Sequence, residues 1–163
     1  MALYIILFLV MLQRLAELPL AARNTKALLA RGAIETGAGH YPLFILLHSS
    51  WLFAILLTTP ADAQLNQGLL IVFFLLQFAR VWVIATLGGN WTTRIIRLPN
   101  QPLIKKGPYL YFSHPNYMIV VLEIALLPLI FGNWPVAVIW SAMNAALLTW
   151  RIYLENTALT SEI

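Results

Sequence analysis

The chain has 163 residues, of which 61% are hydrophobic and only 10% are charged, with a net charge of +4. So little polar surface excludes a water-soluble globule, and the sequence lacks the dense basic patch or arm typical of nucleic-acid-binding proteins. The absence of cysteine excludes a disulfide framework, a thiol nucleophile and a Cys-based metal site. We therefore expect one integral-membrane domain over residues 1–163, surrounded by membrane lipids and without a nucleic-acid partner.

Five apolar stretches are predicted to cross the membrane as helices, which makes the fold class all-α. In chain order they cover about residues 2–22, 41–59, 68–87, 116–131 and 135–150. The first begins without a basic n-region and is expected to be a retained helix rather than a signal peptide. The turn at 132–135 makes the last two a helical hairpin, and Pro128 predicts a kink. Thr25 to Ala30 suggests a short interfacial helix that ends at Gly32.

The basic residues occupy alternate connections between these helices. Loops 23–40 and 88–115 and the end of the chain carry Lys or Arg, whereas 60–67 and 132–135 carry none. Because basic loops stay in the cytoplasm, we expect the N-terminus outside and the C-terminus inside the cell.

Four charged residues fall within the predicted spans: Arg14, Glu17, Arg80 and Glu123. At about 1.5 Å per residue they would share one layer about 8–12 Å deep in the cytoplasmic half. Two positive and two negative charges at one depth suggest a neutralised network. Such residues are functional candidates, and the alternative is a set of structural salt bridges between helices. Glu123 is the best candidate among them to contact a substrate hydroxyl.

The loop before the fourth helix is too rich in Gly, Pro, Trp and Tyr for a simple connector. It contains Gly107-Pro-Tyr109, and His114-Pro-Asn-Tyr117 follows at the helix start. Ser113 can serve as N-cap and Pro115 fits the first turn, where free backbone N–H groups favour an anionic partner. Further on, Arg151 and Glu155 share one helical face, close enough to pair or to bind a zwitterion together.

These motifs resemble the isoprenylcysteine carboxyl methyltransferase family of integral-membrane methyltransferases. The resemblance covers about residues 87–159 and is carried by Gln101-Pro-Leu-Ile104, Gly107-Pro-Tyr109, His114-Pro-Asn-Tyr117 and Arg151-x-x-x-Glu155. The N-terminal part looks like a bacterial branch linked to O-methylation of alkylresorcinols and alkylpyrones. The residues that carry this second likeness are Gln13-Arg14-x-x-Glu17, Arg23-Asn24, Arg31-Gly-Ala-Ile-Glu35 and His40-Tyr-Pro42. It implies a bacterial inner membrane, with the active site on the cytoplasmic side.

The resemblance implies S-adenosylmethionine as cofactor, bound between the loop and the C-terminal helix. Glu155 would take the ammonium of the cofactor, and Arg151 would face the substrate as a catalytic residue together with Glu123. The aromatic faces of Tyr109 and Tyr117 can hold a sulfonium by cation–π attraction, worth about 0.5–2 kcal/mol. Carried over position by position, the cofactor-binding residues are Gln101, Pro102, Leu103, Ile104, Tyr109, His114, Pro115, Asn116, Tyr117 and Glu155.

Two departures from the family pattern affect the expected substrate. Ser113 stands where the family usually has Arg before His-Pro, and Asn156 replaces a second Glu after Glu155. They weaken the case for a prenylcysteine substrate more than the case for the cofactor. We expect a lipophilic acceptor that enters from the bilayer, the phenol or enol of a long-chain polyketide.

Other functions stay open at this point. Carboxyl methylation and phospholipid N-methylation use the same chemistry, and a non-catalytic transport or scaffold subunit is the alternative from another class. Arg94 is a weaker site candidate. His40 and His48 are expected to be structural, because no third ligand stands at metal-site spacing.

Overall fold

A computed structural model describes residues 1–99 and 101–160 of the chain, which form five α-helices and two short strands. In chain order these are α1 (Ala2–Ala30), β1 (Ile34–Thr36), α2 (Tyr41–Thr58), α3 (Gln67–Leu87), β2 (Ile95–Arg97), α4 (Pro115–Ile130) and α5 (Trp134–Thr160). The expected five-helix, all-α architecture is confirmed.

Three of the helical segments are long and apolar enough to cross a membrane: Ala2–Ala30, Ala38–Thr58 and Gln67–Asn90. Helix α4 is apolar but shorter, about 24 Å at 1.5 Å per residue. Large apolar side chains such as Phe8, Phe53 and Phe78 point outward, and Phe78 is 72% exposed. An outer surface of this kind suits lipid rather than water, which makes the chain an integral membrane protein. That α4 and α5 also cross the bilayer stays a prediction.

Helix α4 lies at the centre of the bundle and packs between α3 and α5. Its Ile124, Leu127 and Ile130 are almost fully buried. Pro128 has no N–H to donate to the carbonyl of Ile124, and the indole N–H of Trp51 in α2 donates to that oxygen instead, at 3.2 Å. A hydrogen bond between helices thus replaces the one that the proline removes. The helix ends at Ile130, and Gly132 just beyond it has a φ of 71°, which suits glycine.

Helix α1 continues beyond the expected end of the first span, and this corrects two predictions. The segment 25–30 is the last part of a 29-residue helix rather than a separate interfacial helix. The side chain of Asn24 explains the continuation, because it donates to the carbonyl oxygens of Gly88 at 3.0 Å and Trp91 at 2.8 Å. These contacts hold the end of α1 against the turn that follows α3.

The two strands were not expected. They pair antiparallel, with Ile34 opposite Arg97 and Thr36 opposite Ile95, and so join the first loop to the third. The opposite side of the bundle is also closed by loop contacts. There Asn133 donates to the Thr58 and Thr59 hydroxyls at 2.8 and 2.9 Å. The basic loops therefore meet at one end of the bundle and the loops without Lys or Arg at the other, as alternating spans require.

The four charged residues within the spans form one network. Arg80 holds Glu17 with two hydrogen bonds of 2.6 Å, and Arg14 reaches Glu123 at 2.6 Å. Arg80 lies farther from Glu123, at 3.4 Å, and Gln77 donates to the second oxygen of Glu123 at 3.0 Å. The closest pairs are therefore Arg80 with Glu17 and Arg14 with Glu123, so α1 contributes a member to both pairs. The expected layer of balanced charges is present.

Orientation can be tested at Asn66, which caps α3 at the end of the bundle whose loops lack Lys and Arg. We expect a reporter fused after Asn66 to lie outside the cell, because the basic loops are retained at the other end. Alkaline phosphatase and green fluorescent protein fusions at Asn66 and at Lys105 should give opposite patterns. A cytoplasmic signal at Asn66 would contradict the orientation.

The pairing within the network predicts which double substitution restores stability. Glu17→Leu, Arg80→Leu and Glu123→Leu should each lower the free energy of unfolding by about 3–5 kcal/mol, because each strands a buried charge. The double variant Glu17→Leu/Arg80→Leu should recover more of the loss than Arg80→Leu/Glu123→Leu. Unfolding in detergent with increasing denaturant measures both. Equal recovery in the two double variants would show that the pairs are not as the distances indicate.

Candidate functional site

The loop before α4 is fixed against α3 by Gly107. This residue has φ of 53°, and a Cβ built on it would lie 2.7 Å from the Thr86 hydroxyl oxygen, so only glycine fits. The single turn Gly107–Leu110 that follows buries Pro108 and leaves Tyr109 half-buried. Burial raises the pKa of the Tyr109 phenol to about 12, and the Glu155 carboxylate acts in the same direction. Tyr109 therefore stays a hydrogen-bond donor at neutral pH.

Helix α4 begins at Pro115, and its N-cap is His114 rather than the expected Ser113. Proline at the first helical position has its φ preset for a helix, which makes the preceding residue the cap. His114 stacks on Tyr117, with ring centroids 5.2 Å apart and planes 10° apart. Its Nδ1 lies 3.9 Å from Glu155. The motif at 114–117 thus faces the end of α5, as the resemblance implies.

Tyr117 joins the two charged residues of α5. Its hydroxyl donates to Glu155 at 2.8 Å and accepts a hydrogen bond from Arg151 Nε, also at 2.8 Å. Arg151 also donates to the Thr93 carbonyl oxygen at 3.1 Å, and its guanidinium lies 5.4 Å from the ring centre of Phe44. Arg151 and Glu155 are therefore held on one side of α5 by three neighbouring elements. We call Tyr109, His114, Tyr117, Arg151 and Glu155 the tail cluster.

The segment 101–104 lies apart from these hydrogen bonds. The Gln101 side chain donates to Asn90 at 3.4 Å, which links the segment to the end of α3. Leu103 is 69% exposed, and Pro102 is exposed as well. A cofactor role for Gln101, Pro102, Leu103 and Ile104 stays a prediction.

A cavity of about 300 Å³ opens between α1 and α2 and reaches inward to the charge network and the tail cluster. Arg14, Glu17 and Arg80 line its deep part, and Asn116, Tyr117 and Arg151 line another wall. Its rim carries exposed apolar residues, Leu15 and Leu18 of α1 and Ile45 of α2. A second hollow of about 500 Å³ shares Leu18, Tyr41 and Thr93 with it and extends to Lys26 and Arg94 at the basic end.

Asn116 offers a polar atom to this cavity. Its side-chain oxygen is buried and has no hydrogen-bond partner within the described part of the chain, and the residue lines the cavity wall. An unsatisfied buried acceptor costs stability, so its retention favours a ligand donor at this position. The sequence motif identifies Asn116 as a candidate, but it does not reveal that the side-chain oxygen lacks a hydrogen-bond partner.

Glu123 does not lie where a residue that contacts substrate is expected. It is 0% exposed, both of its carboxylate oxygens accept hydrogen bonds, and it lies behind the cavity wall rather than on it. The geometry therefore favours the structural alternative for Glu123.

Comparison with known proteins identifies the family of the chain. Residues 69–161 match the isoprenylcysteine carboxyl methyltransferase (ICMT) family. The chain belongs to this family. The match covers α3, α4, α5 and the loop between α3 and α4, which together supply every member of the tail cluster. ICMT family membership indicates a membrane methyltransferase.

Two relatives extend the similarity over nearly the whole chain. The uncharacterized protein YpbQ of Bacillus subtilis is 36% identical over 160 residues, which is 96% of this chain and 95% of the relative. An uncharacterized protein of Haemophilus influenzae is 27% identical over 155 residues, or 90% and 88% of the two chains. No solved structure matches the chain significantly. Since neither name gives an activity, the alkylresorcinol and alkylpyrone branch stays a prediction.

Sequence reasoning missed several residues that complete the ICMT-like site. Thr93 acts through its backbone carbonyl, which no side-chain motif reveals. Glu35 pairs with Arg94 at 3.1 Å across the β1–β2 connection, and Arg94 lies over the Tyr41 ring at 5.2 Å. These contacts depend on the strand pair, so the sequence offered Arg94 as a weaker site candidate without showing its partners.

The hydroxyl of Tyr117 gives a direct test of the tail cluster. We expect Tyr117→Phe to weaken binding of S-adenosylhomocysteine about tenfold, because a hydrogen bond to a charged group is worth about 1.5–3 kcal/mol and this one positions Glu155. Tyr153→Phe removes the same group from an exposed ring of α5 and serves as the control. Calorimetric titration of detergent-purified protein measures both. Equal affinities would show that Tyr117 does not position the site.

Proposed function

We propose that the protein transfers a methyl group from S-adenosylmethionine to the oxygen of a lipophilic acceptor that enters from the bilayer. The preferred acceptor is the phenol or enol of a long-chain polyketide, and a carboxylate is the second candidate. The carrying observation is the cavity between α1 and α2, whose rim is apolar and faces lipid and whose inner walls carry Arg151 and Asn116. An alkyl chain can lie across such a rim while the polar head reaches the inner walls.

The residues of the tail cluster fit the cofactor. Glu155 is partly exposed and offers a carboxylate for the ammonium group. The positive end of the α4 helix dipole favours its carboxylate, although the N–H groups of Tyr117 and Met118 already donate to the His114 carbonyl oxygen. Tyr109 offers an aromatic face for a sulfonium, whereas the Tyr117 ring already contacts His114 and Arg151. When bound, the cofactor supplies an electrophilic methyl carbon. The protein then contributes mainly by positioning the two reactants in line.

Arg151 is the residue that we assign to the acceptor. Two of its N–H groups hold Tyr117 and Thr93, which leaves others of the five guanidinium donors for an acceptor oxygen. Because its partners belong to α4 and to the loop before β2, the guanidinium is fixed at the boundary between cavity and tail cluster. A donor at this position orients the attacking oxygen and stabilises negative charge on it.

The charges of the cavity wall favour an acidic acceptor. Arg14, Arg80 and Arg151 line it together with one carboxylate, Glu17. Because Glu123 and Glu17 balance Arg14 and Arg80, the Arg151 guanidinium is the charge of the wall left for an acceptor. A guanidinium suits a phenol, an enol or a carboxylate better than the amine of a phospholipid headgroup. Phospholipid N-methylation is therefore the less favoured chemistry. A non-catalytic role would leave the buried acceptor of Asn116 and the tail cluster without a use.

Cofactor binding tests the proposal most directly. We expect wild-type protein in detergent to bind S-adenosylhomocysteine, and Glu155→Ala and His114→Ala to weaken that binding without lowering the melting temperature. Both residues lie at helix ends outside the packed core, which explains the unchanged stability. Asp62→Ala, which removes a carboxylate at the opposite end of the bundle, is the control for lost charge. Wild-type protein that fails to bind would remove the proposed function.

A further inference from the structure

His48 of α2 lines the cavity and has a fixed tautomer. Its Nδ1 lies 2.8 Å from the backbone carbonyl oxygen of Phe44, one turn earlier in the same helix. A carbonyl oxygen only accepts, so Nδ1 carries the proton and Nε2 presents a lone pair. The Trp51 ring, almost fully buried, meets the imidazole edge to face at 6.4 Å and limits its rotation. A basic nitrogen is thus held on the far side of the ring from the α2 backbone.

The carboxylates near this cavity are already engaged. Glu17 accepts two hydrogen bonds from Arg80, and Glu123 lies behind the wall between Arg14, Arg80 and Gln77. Tyr117 is bonded to both Arg151 and Glu155. Among the described groups at the cavity that carry a basic lone pair, His48 is the one whose basic atom is not held by a guanidinium.

Phe44 connects His48 to the proposed reaction centre. Its carbonyl fixes the imidazole, while its ring lies against the guanidinium of Arg151. His48 therefore lines the cavity one turn after the α2 residue whose ring contacts Arg151, and both His48 and Arg151 line the same cavity. A molecule that fills the cavity can meet a base and an oxygen-binding donor together.

We infer that His48 is the general base of the reaction and that the acceptor is a hydroxyl compound that must lose a proton, a phenol or enol rather than a carboxylate. This inference rests on the proposed function and narrows it. The acceptor's O–H bond breaks and its proton passes to His48 Nε2. The oxygen forms a bond to the methyl carbon as the carbon–sulfur bond breaks, and the electron pair stays on sulfur. Water then takes the proton from His48.

The kinetic test compares His48→Gln with Ser49→Ala, a neighbouring cavity residue that cannot act as a base. Pentadecylresorcinol and palmitate serve as phenol and carboxylate acceptors, with methyl-labelled S-adenosylmethionine. We expect His48→Gln to lose about 100-fold or more of kcat/KM for the phenol at neutral pH, within the range of general-base catalysis. Palmitate turnover should not change, because a carboxylate is already ionised. Affinity for S-adenosylhomocysteine should stay that of Ser49→Ala.

The pH dependence of kcat/KM distinguishes a general-base role of His48 from a structural one. The phenol deficit of His48→Gln should shrink as the pH approaches the acceptor's own ionisation, near 10 for a simple phenol, because the substrate then needs no base. The other charged or titratable groups around His48 are present in both proteins and cancel in the ratio: Arg14, Glu17, Tyr41, Arg80, Tyr117, Glu123 and Arg151. A deficit that is constant with pH, or no deficit at all, would overturn the inference.

A chemical probe gives a readout that does not depend on turnover. Diethyl pyrocarbonate should modify His48, as located by mass spectrometry, and pentadecylresorcinol should protect it while pentadecylbenzene, which lacks hydroxyls, does not. Equal protection by both compounds, or none, would count against the base. Wild-type protein that does not bind S-adenosylhomocysteine would instead reject the proposed function. Normal binding of S-adenosylhomocysteine together with unchanged phenol turnover by His48→Gln would reject only the role of His48 as a base.

Discussion

The charge network of Arg14, Glu17, Arg80 and Glu123 is the constraint on which the other parts of the bundle depend. In a lipid environment none of these groups is stable alone, so α1, α3 and α4 must keep the relative positions that bring them within 2.6–3.4 Å. That arrangement fixes α1 beside the buried α4 and leaves the gap between α1 and α2 as the cavity. The network therefore shapes the cavity by holding its walls, and its two arginines are balanced by its two glutamates.

The tail cluster uses the same principle at the basic end of the bundle. Tyr117, the third residue of α4, reaches both Arg151 and Glu155, which are one turn apart on α5. A neutral hydroxyl between a guanidinium and a carboxylate keeps the two from collapsing into a direct ion pair. Each charge thus remains available to a different ligand group, the carboxylate to an ammonium and the guanidinium to an acceptor oxygen.

Hydropathy and motifs predicted much of this structure because both act locally. Apolar runs located the five helices, and the spacing of Arg151 and Glu155 predicted that they share a face. The strand pair could not be found, since three residues are too few for an alternating pattern. The continuation of α1 depends on Asn24 reaching carbonyls more than sixty residues away. His48 was expected to be structural because no third ligand stands at metal-site spacing, and neither its hydrogen bond to the Phe44 carbonyl nor its place at the cavity leaves a sequence signal.

The two cavities suggest how a water-soluble cofactor and a membrane-soluble acceptor can share one site. One extends between α1 and α2 with a lipid-facing rim, and the other adjoins it along α1 and reaches Lys26 and Arg94 at the basic end. Tyr117 and Arg151 of the tail cluster line the first cavity, whereas Tyr109, His114 and Glu155 are not part of its lining. Under the proposed function, a charged cofactor can therefore arrive from the water side without crossing lipid. The alkyl chain of the acceptor can stay in the lipid throughout. Under the proposed function, only the reacting oxygen of the acceptor has to reach Arg151, which lines the cavity and belongs to the tail cluster.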